Sequence, residues 1–311
     1  MVKNILITGG AGFVGSYLCR ELNGLGYRVT VIDDLSNGKR ENISNGVDFL
    51  KLDITSDETF KKLADYSFDS VIHCAAQSSN AISFRDPKRD MLSNQLGTFN
   101  LLNYCKEKSI KRFIFTSSMS IYGQPKQLPT KETHTPYPDS FYAVHKLGSE
   151  HYIRIFSDQF GINYTIFRLY TTYGSGQNLD NLDQGLLSIY LSYIVNKKTL
   201  YVKGSKDRTR DIIHVSDVVN AIILSIENSK AYNKTYNLGT GNSLKIEKII
   251  ELLTNGMGYG KNEYPVQYEK GTEGDPFDTL ADIGEACRDL GWKPKISAED
   301  GIALTLKKIR R

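Results

Sequence analysis

Short apolar runs alternate with helix-periodic stretches through the first half of the chain. Residues 3–8, 28–33, 47–50, 70–75, 112–117 and 163–169 are rich in β-branched and aromatic side chains and end at turn residues. Such runs mark strands buried on both faces. Between them, residues 12–25, 57–64, 86–108 and 140–160 repeat apolar positions at helical spacing. Strict alternation of this kind predicts an α/β fold, a doubly wound parallel sheet of Rossmann type with right-handed crossovers. Beyond Leu169 the alternation loosens and Gly, Asn, Asp and Tyr become frequent. Residues 210–215 then read as a strand and 217–226 as a helix. The pattern therefore divides the chain into a first domain over residues 1–169 and a smaller α/β domain over 170–311. The second is expected to be discontinuous, with 210–228 packing back on the first.

Composition narrows the functional classes. The 311 residues are 40% hydrophobic and 24% charged with a net charge of +4, ordinary for a globular protein and too mild to suggest nucleic-acid binding. No apolar run approaches the roughly 18 residues of a membrane span, so no membrane partner is expected. The chain enters a strand at once, which is unlike a signal or transit peptide. Cys19, Cys74, Cys105 and Cys287 are widely spread and form no CxxC pair. That spacing argues against a metal site or disulfide framework and fits a reducing cytoplasm. Lys307, Lys308, Arg310 and Arg311 read as a solvated last helical turn, where cations complement the helix dipole.

Thr8-Gly9-Gly10-Ala11-Gly12-Phe13-Val14-Gly15 follows the first strand and opens the first helix. Gly9 suits the tight turn, Gly12 lets backbone approach a pyrophosphate, and Gly15 lets helix pack on strand. The helix N-terminus, with Phe13 and Val14 in its first turn, offers free N–H groups to an anion. Asp33 ends the second strand, where a carboxylate can hold ribose hydroxyls. Together with Asp34 it disfavours a 2′-phosphate, and Lys39 and Arg40 come only after a loop. NAD is therefore expected over NADP. Asp53-Ile54 either places a carboxylate by the adenine amine or caps a helix near Thr55.

Tyr142-Ala143-Val144-His145-Lys146 sets a phenol and an ammonium one helical turn apart. Free tyrosine, with a pKa of about 10, is ionised only about one part in a thousand at neutrality. Bringing that pKa to neutrality takes roughly 4 kcal/mol, about what one cation at ~4 Å supplies at an effective dielectric near 20. Ser118, at the tip of the strand that ends Phe115-Thr116-Ser117-Ser118, points into the crevice where ligands bind such sheets. Ser118 is expected to bridge a substrate hydroxyl to Tyr142, with Thr116 and Ser117 satisfying local backbone groups. Tyr142, Lys146 and Ser118 are thus the candidate catalytic residues.

With the GxxGxxG spacing and the YxxxK pair, nearly the whole chain resembles the extended short-chain dehydrogenase/reductases, specifically the NAD-dependent nucleotide-sugar epimerase/dehydratase family. The resemblance implies that His73-Cys74-Ala75-Ala76 lines the nicotinamide ribose and that Asn94 supports the cofactor region. It adds Asn37, Gly38 and Tyr170 to the cofactor site. It also implies that Arg210 grips a substrate diphosphate, against the alternative of an ion pair with Asp207 or Asp211. Ser120, Thr171, Asp275 and Thr279 join the implied substrate site. Met119-Ser120 stands where the family's dehydratases carry Asp-Glu and where its 3,5-epimerases carry Cys. What remains is oxidation and reduction at one carbon, as in the UDP-glucose 4-epimerase group. Three positions depart from that group: Thr171 replaces an asparagine, Thr272 takes the place of a second diphosphate-binding arginine with Lys270 as a substitute, and residues 176–184 are unusually acidic. Thr279 stands where a tyrosine restricts the pocket to plain hexoses, so N-acetylhexosamines are expected to be tolerated.

The expected function is 4-epimerisation of a UDP-hexose, UDP-glucose or UDP-N-acetylglucosamine, through a transient 4-keto sugar. A nucleotide-sugar 4-dehydrogenase or ketoreductase on the same core is the first alternative, and a non-catalytic NAD-binding regulator the second. Apolar residues on several faces of helices 86–108 and 140–160, among them Leu96, Phe99, Tyr152 and Phe156, fit the homodimer that the resemblance implies.

Overall fold

A computed structural model describes residues 3–271 and 274–309. Strands β1 (Asn4–Thr8), β2 (Arg28–Asp33), β3 (Asp48–Lys51), β4 (Ser70–His73), β5 (Arg112–Ser118) and β6 (Asn163–Leu169) coincide with the six apolar runs. They are followed by β7 (Thr171–Tyr173), β8 (Leu200–Lys203), β9 (Thr209–His214), β10 (Lys234–Leu238), β11 (Ser243–Lys245) and β12 (Val266–Glu269). One seven-stranded parallel sheet has the order β3-β2-β1-β4-β5-β6-β10. The order reverses between β1 and β4, and a ligand crevice opens at the carboxyl ends of strands at such a switch point.

The seventh strand was not legible in the apolar pattern. Lys234-Thr235-Tyr236-Asn237-Leu238 mixes polar and apolar residues and pairs only with β6, at the sheet edge. The segment 210–228 also divides. β9 joins β7 and β11 in a separate three-stranded sheet, while the next helix, Val215–Ser225, packs on the first helix, Phe13–Gly24. Val218, Ile222 and Trp292 are buried in that same core beside Ile5 and Val31. Residues 1–169 thus share their core with chain from 215–238 and around 292. Three further helices, Leu186–Val195, Ile246–Gly256 and Ala298–Ile309, close a second core with β8 and β9.

The other face of the large sheet carries the helices nearest the crevice. Ser140 caps Phe141–Phe160 through the Ala143 N–H at 3.2 Å, and Gly161 ends it in the left-handed region at φ +65°. Residues 86–108 do not form one regular helix. Asp86 caps Pro87–Met91, a π-helical turn spans Leu92–Leu96, and an α-helix resumes over Gly97–Glu107. The hydroxyls of Thr98 and Ser149 donate to the Asn94 carbonyl at 2.6 and 2.9 Å. Side-chain donors compete there with the backbone ladder, which widens to accommodate them.

Candidate active site

The crevice at the switch point is a cavity of about 820 Å³. Its floor is the turn from β1 into Phe13–Gly24. A Cβ on Gly9 would stand 2.5 Å from the Ala75 nitrogen, and one on Gly15 2.2 Å from the Gly9 carbonyl. Both positions therefore need glycine for packing. At Gly12 the Gly9 carbonyl would stand 3.2 Å away, a tight contact but a milder one than at Gly9 or Gly15. No side chain caps the helix, and Phe13, Val14 and Gly15 line the cavity with their first-turn N–H groups.

At one end of the cavity Asp33 is buried. Its carboxylate accepts from Ala11 N at 3.0 Å and Leu35 N at 2.8 Å, leaving lone pairs for ribose hydroxyls. Burial pushes its carboxyl pKa up. Asp34, Asn37, Gly38, Asp53 and Ile54 line the same end. Asp53 caps locally, accepting from Thr55 N at 2.8 Å, and still faces the cavity. Cys74, Ala75, Ala76 and Tyr170 line the middle. An extended cavity with a bare helix N-terminus midway and a carboxylate beyond it fits a dinucleotide.

One expectation fails here. His73 is sealed between the hydroxyls of Thr8 at 2.6 Å and Thr98 at 2.9 Å and does not line the cavity. Burial drives its pKa to about 3, so it is neutral. Asn94 is also buried away from the cavity. Its amide donates to the Gln77 carbonyl at 2.9 Å, and so it supports a residue that does line the site.

The other end gathers Ser118, Tyr142 and Lys146. The Ser118 hydroxyl donates to Ser120 Oγ at 3.1 Å, which is where the structure places Ser120. Burial pushes the Tyr142 phenol up to about 12, against a lowering by its hydrogen bond with Ser118 and a further rise from Asp90. Burial drives Lys146 down to about 8, with Cys74, Asp90 and Glu150 opposing. Lys146 is not among the groups that shift the Tyr142 phenol. The ammonium donates to the Thr116 carbonyl at 2.8 Å, and burial dominates the phenol. Thr116 Oγ1 donates to the His73 carbonyl at 3.1 Å as expected of a local bond, but Ser117 Oγ donates to the Glu150 carboxylate at 2.7 Å.

Ser120 does not line the cavity, and the other implied substrate residues, Thr171, Arg210, Asp275 and Thr279, also lie outside it, in the second domain. Arg210 pairs with neither Asp207 nor Asp211. It is buried, and donates to Asp275 at 2.6 Å and to the carbonyls of Thr209 and Phe277 at 2.7 and 3.0 Å. Asp207 pairs instead with Lys245. Asp211 accepts from the N–H groups of Thr240, Gly241 and Ala281. Thr279 is 1% exposed and its hydroxyl accepts from Asp211 N at 3.1 Å, because its segment runs beside β9 and turns the side chain inward. Thr171 is the first residue of β7; its neighbours Tyr170 and Thr172 line the cavity and it does not. Thr272 lies outside the described residues.

The sequence reading missed the loop over residues 176–185. Gln177, Asn178, Asn181 and Gln184 line the cavity from the second domain. Gln184 and Asn181 bond Asn37 at 2.7 and 3.1 Å, Asp183 pairs with Arg85 at 2.5 Å, and the Asp183 carbonyl accepts from Ser79. The run of amide side chains was the available signal, since amides can bond both the protein and a ligand.

The model of the NAD dependent epimerase/dehydratase family matches residues 5–239. The chain belongs to this family. Like other members it uses NAD as cofactor. It is 32% identical to a putative UDP-glucose 4-epimerase of Methanocaldococcus jannaschii over 96% of this chain and 95% of that one. It superposes on the UDP-glucose 4-epimerase of Thermotoga maritima, solved with UDP-glucose, with TM-score 0.93 and 35% identity over 99% and 98% of the two chains. A UDP-N-acetylglucosamine 4-epimerase of Methanobrevibacter ruminantium, in complex with UDP-N-acetylmuramic acid, gives TM-score 0.92 and 30% identity over 99% and 98%. Within the family frame, the glycine turn, Asp33 and the Ser118–Tyr142–Lys146 group occupy one crevice.

Proposed function

We propose that this family member is a UDP-hexose 4-epimerase acting on UDP-glucose or UDP-N-acetylglucosamine through a transient 4-keto sugar. The observation that carries this reading is the convergence of Ser118, Tyr142 and Lys146 at one end of a dinucleotide cavity. The relatives' names support the nucleotide and both sugars.

NAD, which the glycine turn and Asp33 would hold, would supply the hydride acceptor and donor for the sugar C4, and its positive ring would favour phenolate at Tyr142. Tyr142 takes the proton of the C4 hydroxyl, directly or through Ser118. The resulting ketone turns in place so that its other face would meet the returning hydride, and Tyr142 gives the proton back to the C4 oxygen. Arg210, permanently charged, keeps the diphosphate anchored while the sugar turns. Residues 1–169 with the returning chain at 215–238 hold cofactor, and the rest holds substrate.

Among the described residues no helix is long and apolar enough to cross a membrane. Cys19 and Cys105 are buried free thiols, in keeping with a cytoplasmic protein. Leu96, Phe99, Ile155 and Phe160 lie partly exposed on two adjacent helices, and they support a homodimer through that face.

The test uses purified protein without added cofactor, mixed separately with each sugar nucleotide and followed by NMR and NADH absorbance. Galacto-configured product without net NADH is expected. A keto sugar accumulating with NADH, or no reaction from protein shown to hold NAD, would overturn the epimerase reading.

A further inference from the structure

Two buried guanidiniums converge on one carboxylate in the second domain. Arg210 donates to one oxygen of Asp275 at 2.6 Å, and Arg208, two positions earlier and so on the same side of the extended chain, donates to the other. Both arginines are about 5% exposed, while Asp275 retains 30% exposure of its side chain. Two fixed positive charges thus face a single, partly solvated negative one. A buried cation pair of this kind is strongly favourable for a ligand with two negative charges and bidentate oxygens.

The arrangement is built and not incidental. The Arg208 guanidinium lies against Gly204, where a Cβ would approach its Nε to 2.7 Å and its Cζ to 2.8 Å. Two more of its five N–H groups are held by the carbonyls of Ser205 and Lys203, which fixes the fork and leaves two donors for a ligand. A second observation points the same way. Tyr190 is 3% exposed and its hydroxyl has no hydrogen-bond partner among the described residues. That phenol lies within electrostatic reach of Arg208, Arg210 and Asp275. A buried donor left without a partner costs about 1–3 kcal/mol, and an incoming oxyanion beside the arginines would satisfy it.

The chain next to Asp275 also meets the segment that leads into the Tyr142 helix. A Cβ on Gly274, next to Asp275, would meet the Asp139 carbonyl at 3.1 Å and Ser140 Cβ at 3.2 Å. Ser140 caps the helix that carries Tyr142 two residues later. Lys270, in contrast, is exposed.

We propose that Arg208 is a substrate-binding residue that pairs with Arg210 as a two-guanidinium clamp on the substrate diphosphate, with the Tyr190 hydroxyl as a further donor. Asp275 holds the two forks in register for the ligand. The inference rests on the nucleotide-sugar reading of this site and adds to it the source of the second cation.

The test measures binding of UDP, GDP, CDP and the matching nucleosides to holoenzyme, for wild type, Arg208→Gln, Arg208→Lys and Tyr190→Phe. Arg208→Gln is expected to weaken UDP at least tenfold, to leave uridine and NAD within about twofold, and to raise KM far more than it lowers kcat. Arg208→Lys should fall between, since an ammonium keeps charge without the fork. Tyr190→Phe should lose a few-fold on UDP alone. Equal losses on UDP and uridine, or a lowered Tm with UDP affinity unchanged, would show that Arg208 only holds Asp275 and would overturn the clamp. Wild type preferring GDP or CDP would remove the UDP part of the epimerase reading only, and the same comparison with that diphosphate and its nucleoside then decides the clamp. Wild type binding no nucleoside diphosphate overturns both.

Discussion

Lys146 lies one helical turn beyond Tyr142, yet its ammonium donates to the Thr116 carbonyl on β5 at 2.8 Å. That bond ties the Tyr142 helix to the strand that ends in Ser118, so the three groups are positioned by one contact. It also seals the ammonium where burial drives its pKa down to about 8.

Activity that depends on the Lys146 cation is therefore expected to decline above about pH 8 in kcat/KM, and Lys146→Met should lose both the activity and that limb. Stability moves the opposite way. Between about pH 8 and the ordinary lysine value of 10.5 the unfolded chain binds the proton and the folded chain does not. Wild type should then gain stability with rising pH relative to Lys146→Met, by at most about 3 kcal/mol. Denaturant titrations of both proteins across that window check the sign.

Tyr142→Phe removes the phenol that interacts with Ser118 at the reacting end of the cavity. Turnover should fall by about 10²–10⁴-fold or more, while NAD released from the denatured variant matches wild type. Ser118→Ala should cost less, because Tyr142 can take the proton directly. A Tyr142→Phe protein that still interconverts the sugars would rule the phenol out as the base.

Gly12 and Gly15 are three residues apart and should fail differently. A methyl at Gly15 would meet the Gly9 carbonyl at 2.2 Å, so Gly15→Ala is expected to lower Tm by several degrees. At Gly12 the Gly9 carbonyl would stand 3.2 Å away, a contact that a shift of a few tenths of an ångström relieves, and Gly12→Ala should lower Tm less than Gly15→Ala while binding NAD at least tenfold more weakly. Thermal melts with and without NAD separate the two.

The contrast shows what a sequence can disclose. β1, β2, β4, β5 and β6 were legible because strands buried on both faces must be largely apolar, and the edge strand β3 only through Val47, Phe49 and Leu50. β10 was not, since an edge strand can mix polar residues. The glycine turn, Asp33 and the Ser118–Tyr142–Lys146 group were legible as local spacing. Long-range pairings left no such trace: nothing near Arg208 points to Asp275, nor near Gln184 to Asn37. The break at Leu92–Leu96 depends on Ser149, which is far along the chain. Thr279 was placed by resemblance, and only the strand beside it shows that its hydroxyl is already taken.

Glu150 and Arg168 form the remaining test, one helical turn beyond Lys146 and on β6. Their two bonds, 3.0 and 2.8 Å, are parallel and fully buried, and Ser117 and Arg154 complete the carboxylate. Burial alone would push Glu150 up, but the Arg168 bonds outweigh it and hold its pKa below the usual range. A depressed carboxyl contributes stability above the ordinary value of 4.5 and loses it as pH falls through the folded value. Glu150→Gln strands the Arg168 charge in the core, at a cost of about 3–5 kcal/mol near neutrality. The gap to wild type should narrow in acid. Replacing both residues by methionine should be less damaging than Glu150→Gln, because no unpaired charge remains buried. Urea unfolding of the three proteins at neutral and acid pH measures both effects, and a double variant worse than the single would show that the Arg168 bonds to Tyr122 and the Glu132 carbonyl matter more than the pair.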